Sequence, residues 1–474
     1  MRGGARPLSV APVWDGLWVQ LRNGMNVPSQ AAVADAVSAG GDTIFALASG
    51  GVRAGVAVIR LSGPKADEAL ATLSRKPLPA VRKAVVRTLF GTSGDERLDD
   101  ALVLRFAGPN SYSGENLVEL QVHGGRAVID GVLAALSALP GLRLAEPGEF
   151  TRRAVENGRL DLTQAEAVND LIAAETEAQR RQALRQLGGA LGALYENWRS
   201  DGIRAAAWLE AVIDFADEDI PESALATARA ALIGLAKSIA EHLDDKRRGE
   251  ILRDGMRVAI LGAPNAGKSS LLNALAKRDV AIVSDIAGTT RDVIEVKLDI
   301  GGYPVVVADT AGLRETNDRI ESEGVRRAMR RAEEADLRLL LCDGAKSDSE
   351  APKLPGDAPT MTICTKGDIA TKRAHQGLWI STVTGEGMNV LVTELGEHAK
   401  RMMDTREAPT VTRARHRDAL REAANAFERA ARTEQADLAA EEARVALRAL
   451  GRITGRVDID NLLDVVFRDF CIGK

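Results

Sequence analysis

The sequence predicts a multidomain protein of the α/β and all-α classes, in which a helical bundle domain is interrupted by an inserted α/β domain. With 474 residues the chain is too long for one hydrophobic core, so about two to four domains are expected. Ala, Leu, Glu and Arg are plentiful and aromatic residues make up only 3%, which favours long helices. A strand, a glycine-rich loop and a helix follow one another at 257–276, within a sequence that is otherwise helical in pattern on both sides.

Composition and charge exclude several classes of protein. Hydrophobic residues at 45% and charged residues at 27% are typical of a soluble globular chain, and no stretch approaches the roughly 18 uncharged apolar residues of a membrane span. The net charge of −5 gives no global basic field, so any contact with RNA requires a local basic patch. The three cysteines, Cys342, Cys364 and Cys471, are too scattered for a disulfide framework or a zinc site, which indicates a reducing, cytoplasmic setting.

Residues 1–41 form an N-terminal extension that we expect to be disordered. Glycines and prolines interrupt any periodic pattern, and no apolar run is long enough for a signal peptide. The arginines of this extension and its few acids faintly resemble a transit peptide. A disordered tail or an upstream start codon, with Met25 as the alternative first residue, fits the pattern better.

Residues 42–157 predict a compact mixed α/β domain. Short strands are expected at 43–48, 55–61, 103–106 and 117–122, with a turn-rich loop at 108–114 and a helix over 126–138.

Residues 158–250 change to helical spacing. The apolar positions that recur are Leu160, Leu162, Ala165, Val168, Leu171 and Ile172. The same texture returns at 413–450. We therefore predict one helical domain, made of 158–250 and 406–474 and split by an insertion at 251–405.

The insertion contains a phosphate-binding loop. A predicted strand at 257–261 runs into Gly262-Ala263-Pro264-Asn265-Ala266-Gly267-Lys268-Ser269, and a helix follows. This is the G-x-x-x-x-G-K-[ST] pattern in its strand–loop–helix setting, where backbone N–H groups face the β-phosphate. Lys268 then supplies a charge to the β- and γ-phosphates, and the Ser269 hydroxyl ligates Mg²⁺. A chance glycine-rich turn is the alternative, which the full spacing and the correct flanks disfavour.

Further motifs follow in the order of a P-loop domain. Gly288-Thr289-Thr290-Arg291-Asp292 lies in a polar loop that reaches Mg²⁺ and the γ-phosphate, and Asp309-Thr310-Ala311-Gly312 ends the apolar strand 305–308. Thr365-Lys366-Gly367-Asp368 ends the strand 361–364, where Asp368 accepts two hydrogen bonds that guanine donates and adenine does not. Ile380-Ser381-Thr382 ends the next strand, where backbone N–H groups meet the guanine oxygen. Each motif alone is as well explained by a plain turn. Five in order predict a Ras-like P-loop α/β GTPase domain.

The catalytic apparatus departs from that of Ras-like proteins. Leu313 occupies the position where those proteins place a Gln that orients water, and an apolar side chain cannot do so. Another group must orient the water, or hydrolysis is slow. Glu315, Asp318 and Glu321 lie nearby, and their spacing alone does not choose among them.

From residue 42 to its end, the chain resembles the MnmE (TrmE) family of bacterial tRNA modification GTPases. Within the insertion the resemblance rests on 264–269, 288–292 and Asp309-Thr310-Ala311-Gly312-Leu313-Arg314. Outside it, the matching motifs are Gly108-Pro109-Asn110-Ser111, Leu120-Gln121-Val122-His123-Gly124-Gly125, Pro147-Gly148-Glu149-Phe150, Leu160-Asp161-Leu162-Thr163-Gln164-Ala165-Glu166 and Phe470-Cys471-Ile472-Gly473-Lys474.

The resemblance implies a function beyond GTP hydrolysis. Members of the family form a homodimer and act with the flavoprotein MnmG (GidA), which holds the FAD and NADH chemistry, in a heterotetramer. Together they attach an aminomethyl or carboxymethylaminomethyl group to C5 of the wobble uridine of certain tRNAs. A tetrahydrofolate, such as 5-formyltetrahydrofolate, supplies the one-carbon unit and binds the N-terminal α/β domain. By similarity its contacts fall at Arg60, Glu119, Arg159 and Lys474, and Arg159 stands where the family often has Lys.

The family also implies how Leu313 is compensated. Its members hold a potassium ion near the β- and γ-phosphates, in place of an arginine finger, when two GTP-bound domains meet. By similarity the potassium ligands are Asn265, Ser284, Ile286 and Thr289, the magnesium ligands are Ser269 and Thr290, and Glu321 orients the water. The remaining GTP-binding positions are Ala266, Gly267, Lys268, Ser270, Asp285, Ala287, Gly288, Asp309, Thr310, Ala311, Gly312, Thr365, Lys366, Asp368, Ser381 and Thr382.

Two positions leave alternatives open. The family usually has Asn at Thr365, where it braces the P-loop, so the resemblance implies a lower nucleotide affinity here, with guanine selectivity preserved by Asp368. Cys471 is the fourth residue from the end, but Gly473 and Lys474 fit a prenylation signal poorly. It is therefore either a buried structural cysteine or a catalytic thiol at the folate site.

Two other functions remain as alternatives at the level of sequence. One is a ribosome-assembly GTPase, for which the N-terminal domain would be a basic RNA-binding module rather than a folate pocket. The other is a regulatory GTPase that acts only on a protein partner, which agrees with the net charge of −5.

Overall fold

The computed structural model describes residues 41–50, 54–92, 94–214, 222–278, 280–282, 295–309, 329–345, 358–370, 376–404 and 409–457, together with positions 463, 466, 467, 470 and 473. The chain divides into two compact units, one made of 1–160 and 463–474 and the other of 161–462. Within the described ranges, no helix combines the length and the apolar character needed to cross a membrane.

The first unit is built on a six-stranded sheet. Its elements are β1 (Thr43–Leu47), β2 (Ala54–Ser62), α1 (Ala66–Ser74), β3 (Val85–Phe90), β4 (Arg97–Phe106), β5 (Leu117–Gly124), α2 (Arg126–Ser137), β6 (Leu142–Leu144) and α3 (Glu149–Glu156). The strands lie in the order β3-β4-β5-β2-β1-β6. All neighbours are antiparallel except β1 and β6, which are parallel.

Helices α1 and α2 cover one face of this sheet. Alternate residues of a strand point to the same face, and Ile59, Leu61, Leu120 and Val122 are buried there. The opposite face carries the residues between them, including Arg60 and Glu119.

The C-terminal residues belong to the first unit. A Cβ atom placed on Gly148 would lie 2.8 Å from Phe467 and 2.9 Å from Phe470. One placed on Gly473 would lie 2.1 Å from the carbonyl oxygen of Leu47. The end of the chain therefore packs against the start of α3 and the end of β1.

The second unit combines a helical part with an inserted α/β part. Its helices are α4 (Leu162–Ala173), α5 (Glu177–Leu187), α6 (Ala190–Asp214), α7 (Glu222–Leu243), α8 (Arg248–Asp254), α9 (Lys268–Ala276), α10 (Met388–Met403), α11 (Ala414–Arg432) and α12 (Ala436–Thr454). Asp161 and Thr176 form capping boxes with Gln164 and Gln179, which fix the first residues of α4 and α5. Mainly alanine and leucine side chains fill the core among α6, α7, α11 and α12, in agreement with the composition.

The inserted part contains a second six-stranded sheet. Its strands are β7 (Met256–Gly262), β8 (Glu295–Ile300), β9 (Tyr303–Asp309), β10 (Leu337–Asp343), β11 (Thr360–Thr365) and β12 (Leu378–Trp379). They lie in the order β12-β11-β10-β7-β9-β8, and only β8 is antiparallel to its neighbour. Together the two sheets and the helical part confirm the predicted fold class.

Candidate functional site

Four parallel strands bring the predicted GTP-binding motifs to one edge of the second sheet. Strand β7 ends at Gly262, β9 at Asp309, β10 at Asp343 and β11 at Thr365. Because these strands are parallel neighbours, their carboxyl ends meet at the same edge. Ligands of open α/β sheets bind outside this edge.

The P-loop between β7 and α9 has the backbone conformation of an anion-binding loop. Its φ angles are 150° at Gly262, 63° at Asn265 and 90° at Gly267, all in the region that favours glycine or asparagine. A Cβ atom on Gly262 would lie 2.5 Å from the carbonyl oxygen of Leu341, so only glycine fits against β10. Helix α9 then begins at Lys268, so the positive end of the helix dipole lies at this loop, a position that suits phosphate.

Lys268 is held over this loop by its own backbone. Its ammonium group donates to the carbonyl oxygens of Gly262 and Ala263, both at 2.9 Å. Asn265, Ser269 and Ser270 are exposed beside it. The loop therefore presents an amide, a cation and two hydroxyls at the N-terminus of α9, a donor set that suits a nucleotide phosphate with its magnesium ion.

The predicted guanine-binding loop follows β11 and is tied to its neighbours. The Thr365 hydroxyl lies 2.8 Å from the carbonyl oxygen of Ala266 in the P-loop. The Lys366 ammonium pairs with Asp343 at 2.7 Å, and the Gly367 N–H donates to Ile380 at 3.0 Å. Asp368 is exposed on the turn that these contacts hold, so its carboxylate is accessible to a base.

Ser381 and Thr382 lie in the loop after β12. The buried Ser381 hydroxyl accepts hydrogen bonds from the N–H groups of Val383 and Thr384, at 3.2 and 3.1 Å. The Ser381 N–H itself donates to Glu386 at 2.9 Å, so contact between this N–H and a guanine oxygen requires that bond to be exchanged. Thr382 follows it and is half-buried.

Two groups at this edge were missed by the sequence interpretation. Asp343 anchors Lys366, and the Trp379 ring lies so close to Gly344 that a Cβ atom there would be 2.5 Å from it. The signal for Asp343 was present, because it ends the apolar strand Leu337–Asp343 as Asp309 ends its own strand. The contact of Trp379 depends on strand order, which the sequence does not state.

Part of the predicted site lies outside the described residues. These positions are Ser284, Asp285, Ile286, Ala287, Gly288, Thr289, Thr290, Thr310, Ala311, Gly312, Glu321, Cys471 and Lys474, together with the side chain of Asp309. Within the ranges that are described, no group of three or more His, Cys, Asp or Glu side chains is placed to hold a metal ion.

In the first unit, the structure brings Arg60 and Glu119 together. They are register partners on β2 and β5, and the Arg60 guanidinium donates to one carboxylate oxygen of Glu119 at 2.9 and 3.1 Å. The guanidinium also lies over the rings of Tyr112 at 5.2 Å and Phe150 at 5.7 Å. About a fifth of each charged side chain is exposed, which leaves the pair accessible from one side.

Arg159 lies beside the loop that carries Tyr112. It is exposed, and its Cγ atom would be 3.3 Å from a Cβ placed on Gly114. The hydroxyls of Ser113 and Ser62 are 2.6 Å apart, which ties this loop to β2 two residues beyond Arg60. An exposed cation thus lies beside the loop that carries Tyr112, one of the two rings at the Arg60–Glu119 pair, an arrangement that suits a planar polar ring with an anionic tail.

Comparisons with known families cover nearly the whole chain. The model of the MnmE helical domain matches residues 162–471, and that of the GTP-binding protein TrmE N-terminus matches 43–159. The tRNA modification GTPase MnmE of Rhodospirillum rubrum is 55% identical over 454 residues, covering 91% of this chain and 99% of that protein. The protein of the same name from Parvibaculum lavamentivorans is 52% identical over 440 residues, covering 91% of this chain and all of that one.

Solved structures overlap with a smaller part of the chain. The G domain of the T. maritima FeoB iron transporter covers 30% of this chain and 98% of its own, with 26% identity and a TM-score of 0.23. Era of Aquifex aeolicus bound to GDP.AlF4− covers 36% of this chain and 66% of its own, with 24% identity and a TM-score of 0.25. Scores of this size do not establish a shared fold.

Proposed function

The chain belongs to the MnmE family of tRNA modification GTPases, and we propose that its GTP hydrolysis is stimulated by potassium and coupled, with a flavoprotein partner, to modification of wobble uridine. In this proposal an aminomethyl or carboxymethylaminomethyl group is added at C5 of that uridine in certain tRNAs. A tetrahydrofolate bound to the first unit supplies the one-carbon unit. The GTPase activity itself follows from membership of the family.

The observation that supports the proposed GTP site is the junction of the P-loop with the guanine-binding loop. The hydroxyl of Thr365 and the carbonyl oxygen of Ala266 join the two loops at 2.8 Å. Lys268 and Asp368 lie on the two loops so joined, one for phosphate and one for base. Ser269, in the first turn of α9, is the side chain that would hold Mg²⁺, which neutralises phosphate charge during hydrolysis.

Asn265 supports a potassium ion near the phosphates. Its φ of 63° turns the P-loop sharply, and its side chain is exposed, so its amide oxygen is accessible to a cation. A monovalent cation there would stabilise the phosphate charge in place of an arginine finger. Leu313 cannot orient the attacking water, because its side chain is apolar. Glu321 is the proposed group that orients it.

The potassium proposal is tested by exchange of the cation. At equal ionic strength, GTP turnover should fall roughly tenfold or more when sodium replaces potassium. Asn265→Ala should lose this difference while it still binds GTP, and Lys76→Ala, at an exposed position of the first unit, serves as the matched control. Equal turnover of the parent protein in the two salts would contradict the proposal.

The Arg60–Glu119 pair supports folate binding in the first unit. A pterin ring offers N–H donors for the Glu119 carboxylate and a flat face for Tyr112 and Phe150, while Arg159 would meet the anionic glutamate tail. The C-terminal Gly473 packs against Leu47 in the same unit, which supports a contribution from Lys474 and Cys471.

We expect binding of 5-formyltetrahydrofolate to weaken when residues 471–474 are deleted, with GTP binding unchanged. Equilibrium titration measures both ligands on the same protein preparation. Glu119→Gln should also weaken folate binding, and Lys76→Ala should not. Full-strength binding after the deletion would mean that these four residues have another purpose.

An exposed apolar surface supports a homodimer formed through the first unit. Val86 and Leu102 are register partners on β3 and β4 and are 65% and 37% exposed. They lie on the sheet face that carries Glu119, opposite α1 and α2. Exposed apolar side chains on a sheet face commonly mark an interface, and a self-complementary one gives a two-fold dimer.

The modification itself is tested on tRNA. Mass spectrometry of wobble uridines from cells that lack this protein should show loss of the aminomethyl-type groups. The parent gene should restore them, whereas Lys268→Ala should not. A ribosome-assembly or purely regulatory GTPase would leave these nucleosides unchanged.

A further inference from the structure

Two of the three cysteines lie side by side in the second sheet, although they are scattered in the sequence. Cys342 on β10 and Cys364 on β11 are register partners on neighbouring parallel strands, and neither is in a disulfide. Neighbouring strands lie about 4.8 Å apart, and the Cα atoms of a disulfide usually lie about 4.4–6.8 Å apart. The register therefore places the two thiols within reach of a disulfide bond.

Both cysteine side chains point to the same face of this sheet. Leu341 and Ile363, the residues directly before them, belong to the core that the sheet shares with α9 and α10. Because side chains alternate along a strand, Cys342 and Cys364 both lie on the opposite face. The two sulfur atoms are therefore not separated by the backbone of either strand.

The two thiols differ in their access to solvent. Cys342 is half-buried, whereas Cys364 is fully buried. Burial raises the pKa of the Cys364 thiol, so this thiol stays protonated at neutral pH. An oxidant from solvent thus meets Cys342 first, and Cys364 lies beside it as the second thiol of the pair.

The cysteine pair directly precedes the residues that hold the guanine-binding loop. Asp343 follows Cys342 and pairs with the Lys366 ammonium at 2.7 Å. Thr365, the last residue of β11, follows Cys364 and begins that loop. A change in the spacing of the two strands at the cysteines is therefore passed on, within one or two residues, to the side chains proposed to contact the base.

We propose that Cys342 and Cys364 form a reversible disulfide when a hydroperoxide oxidises them, and that this bond weakens the binding of guanine nucleotides. The inference rests on the proposed GTP site at this edge of the sheet. The Cys342 thiol loses its proton to water, and the thiolate attacks the peroxide O–O bond, which gives a sulfenic acid and hydroxide that takes up a proton. The Cys364 thiol then attacks the oxidised sulfur, forms the S–S bond and releases water. Two thiols are oxidised and one hydroperoxide is reduced.

The bond alters the strand ends because it is shorter than the gap that it spans. The Cβ atoms of a disulfide lie about 3.5–4.5 Å apart, whereas side chains on neighbouring strands stand side by side at about the strand spacing of 4.8 Å. Closing this gap draws the strands together at the cysteines and displaces Asp343 relative to Lys366. A disulfide formed under strain is also readily reduced, so in a reducing compartment it is transient.

Peroxide treatment of the full-length protein tests the pair directly. Reduced protein is exposed to hydrogen peroxide, and peptide mass spectrometry identifies which cysteines become linked. Titration with a fluorescent GDP analogue should show an affinity roughly tenfold weaker after oxidation and restored by dithiothreitol. Cys342→Ala and Cys364→Ala, treated in the same way, should form no link and should keep the affinity that they have before treatment.

The alanine variants also control for peroxide damage elsewhere in the chain. Absence of the link in the parent, a link through Cys471 instead, an equal loss of affinity in parent and variants, or a link between Cys342 and Cys364 with unchanged affinity would each overturn the inference. Should Cys364→Ala fail to fold, Cys342→Ala, at the half-buried position, supplies the comparison. A reduced parent protein that binds no guanine nucleotide would overturn the proposed GTP site together with this inference, whereas the other outcomes leave that site standing.

Discussion

The helical part and the nucleotide edge of the second unit use polar side chains in opposite ways. In the helical part, Glu166 is 2% exposed and His416 is fully buried, and their charged neighbours face inward as well. At the nucleotide edge, Ser269 and Asp368 are exposed on backbone loops that other residues hold. Buried polar groups that pair with one another maintain the architecture, whereas Ser269 and Asp368 remain accessible to a ligand.

The buried cluster joins the two halves of the helical part across the inserted domain. Glu166 lies 2.7 Å from Arg415, 2.9 Å from His416 and 3.2 Å from Arg413. Its partners follow it by about 250 residues, on the other side of the inserted sheet. Asp170, one turn further along α4, pairs with Arg413 at 2.7 Å. This cluster gives a structural reason for the acid that ends the 160–166 motif.

The largest effect is expected from Glu166→Gln. The substitution would remove the charge from a carboxylate that is 2% exposed and pairs with Arg415 and His416, and a buried pair broken on one side costs about 3–5 kcal/mol of unfolding free energy. Urea unfolding measures the loss. Glu177→Gln, in a surface pair with Arg180 and Arg181, is the matched control and should leave stability close to that of the parent. Equal effects of the two substitutions would remove the distinction between buried and exposed polar groups.

Asp368→Asn should have the reverse pattern, with stability unchanged and nucleotide choice altered. The amide presents a donor where guanine also has one, so GTP affinity should fall roughly 100-fold and xanthosine triphosphate should be preferred. Competitive titration of the two nucleotides measures this change. A variant that binds GTP as tightly as the parent would show that Asp368 is not the base-recognition group.

The sequence predicted the nucleotide edge better than the buried cluster, for a physical reason. The P-loop is a local pattern, since its conformation depends on Gly262, Asn265 and Gly267 within six residues. Glu166 and His416 lie on opposite sides of the inserted domain in the sequence, and nothing local marks either one as buried. Strand order likewise decides that Trp379 packs against Gly344, so the sequence could not predict that contact.

In the first unit, the sequence predicted the strands but not how their charged residues pair. Short apolar runs at 55–61 and 117–122 predicted β2 and β5, but the pairing of Arg60 with Glu119 depends on their register. The sequence pointed to these two residues only through the resemblance to a family, because by themselves they read as surface charges. Phe150 was part of a matching motif and Tyr112 of the turn-rich loop 108–114, and neither had an assigned role beside the guanidinium.

The buried cluster also predicts two opposite responses to pH. Burial, together with Arg415, lowers the pKa of His416 to about 4 from 6.5, so the unfolded chain binds a proton that the folded one does not, and this group destabilises the fold as pH falls from 6.5 towards 4. Burial raises the pKa of Asp170 to about 6 from 3.8, so this group favours the folded state as pH falls through 6.

Single substitutions separate the two responses. Between pH 7 and pH 5, His416→Gln should lose less stability than the parent and Asp170→Asn should lose more, each by on the order of 1 kcal/mol. Urea unfolding at both pH values gives the difference in stability between each variant and the parent protein at pH 7 and at pH 5. Shifts of the same sign in both variants would contradict the opposite pKa changes.

The smallest effect is expected where the helical part meets the inserted sheet at the surface. Lys297 on β8 pairs with Glu175 at 2.9 Å, and 52% and 28% of the two side chains are exposed, so water screens the pair. A double-mutant cycle with Lys297→Ala and Glu175→Ala should give a coupling of about 0.2–1 kcal/mol that shrinks in 1 M salt. The backbone bond from Ala178 to Gly302, at 3.0 Å, holds the same junction and persists in all four proteins of the cycle, so GTP turnover should not change. A coupling as large as the loss in Glu166→Gln would mean that this exposed contact, and not only the buried cluster, holds the two parts together.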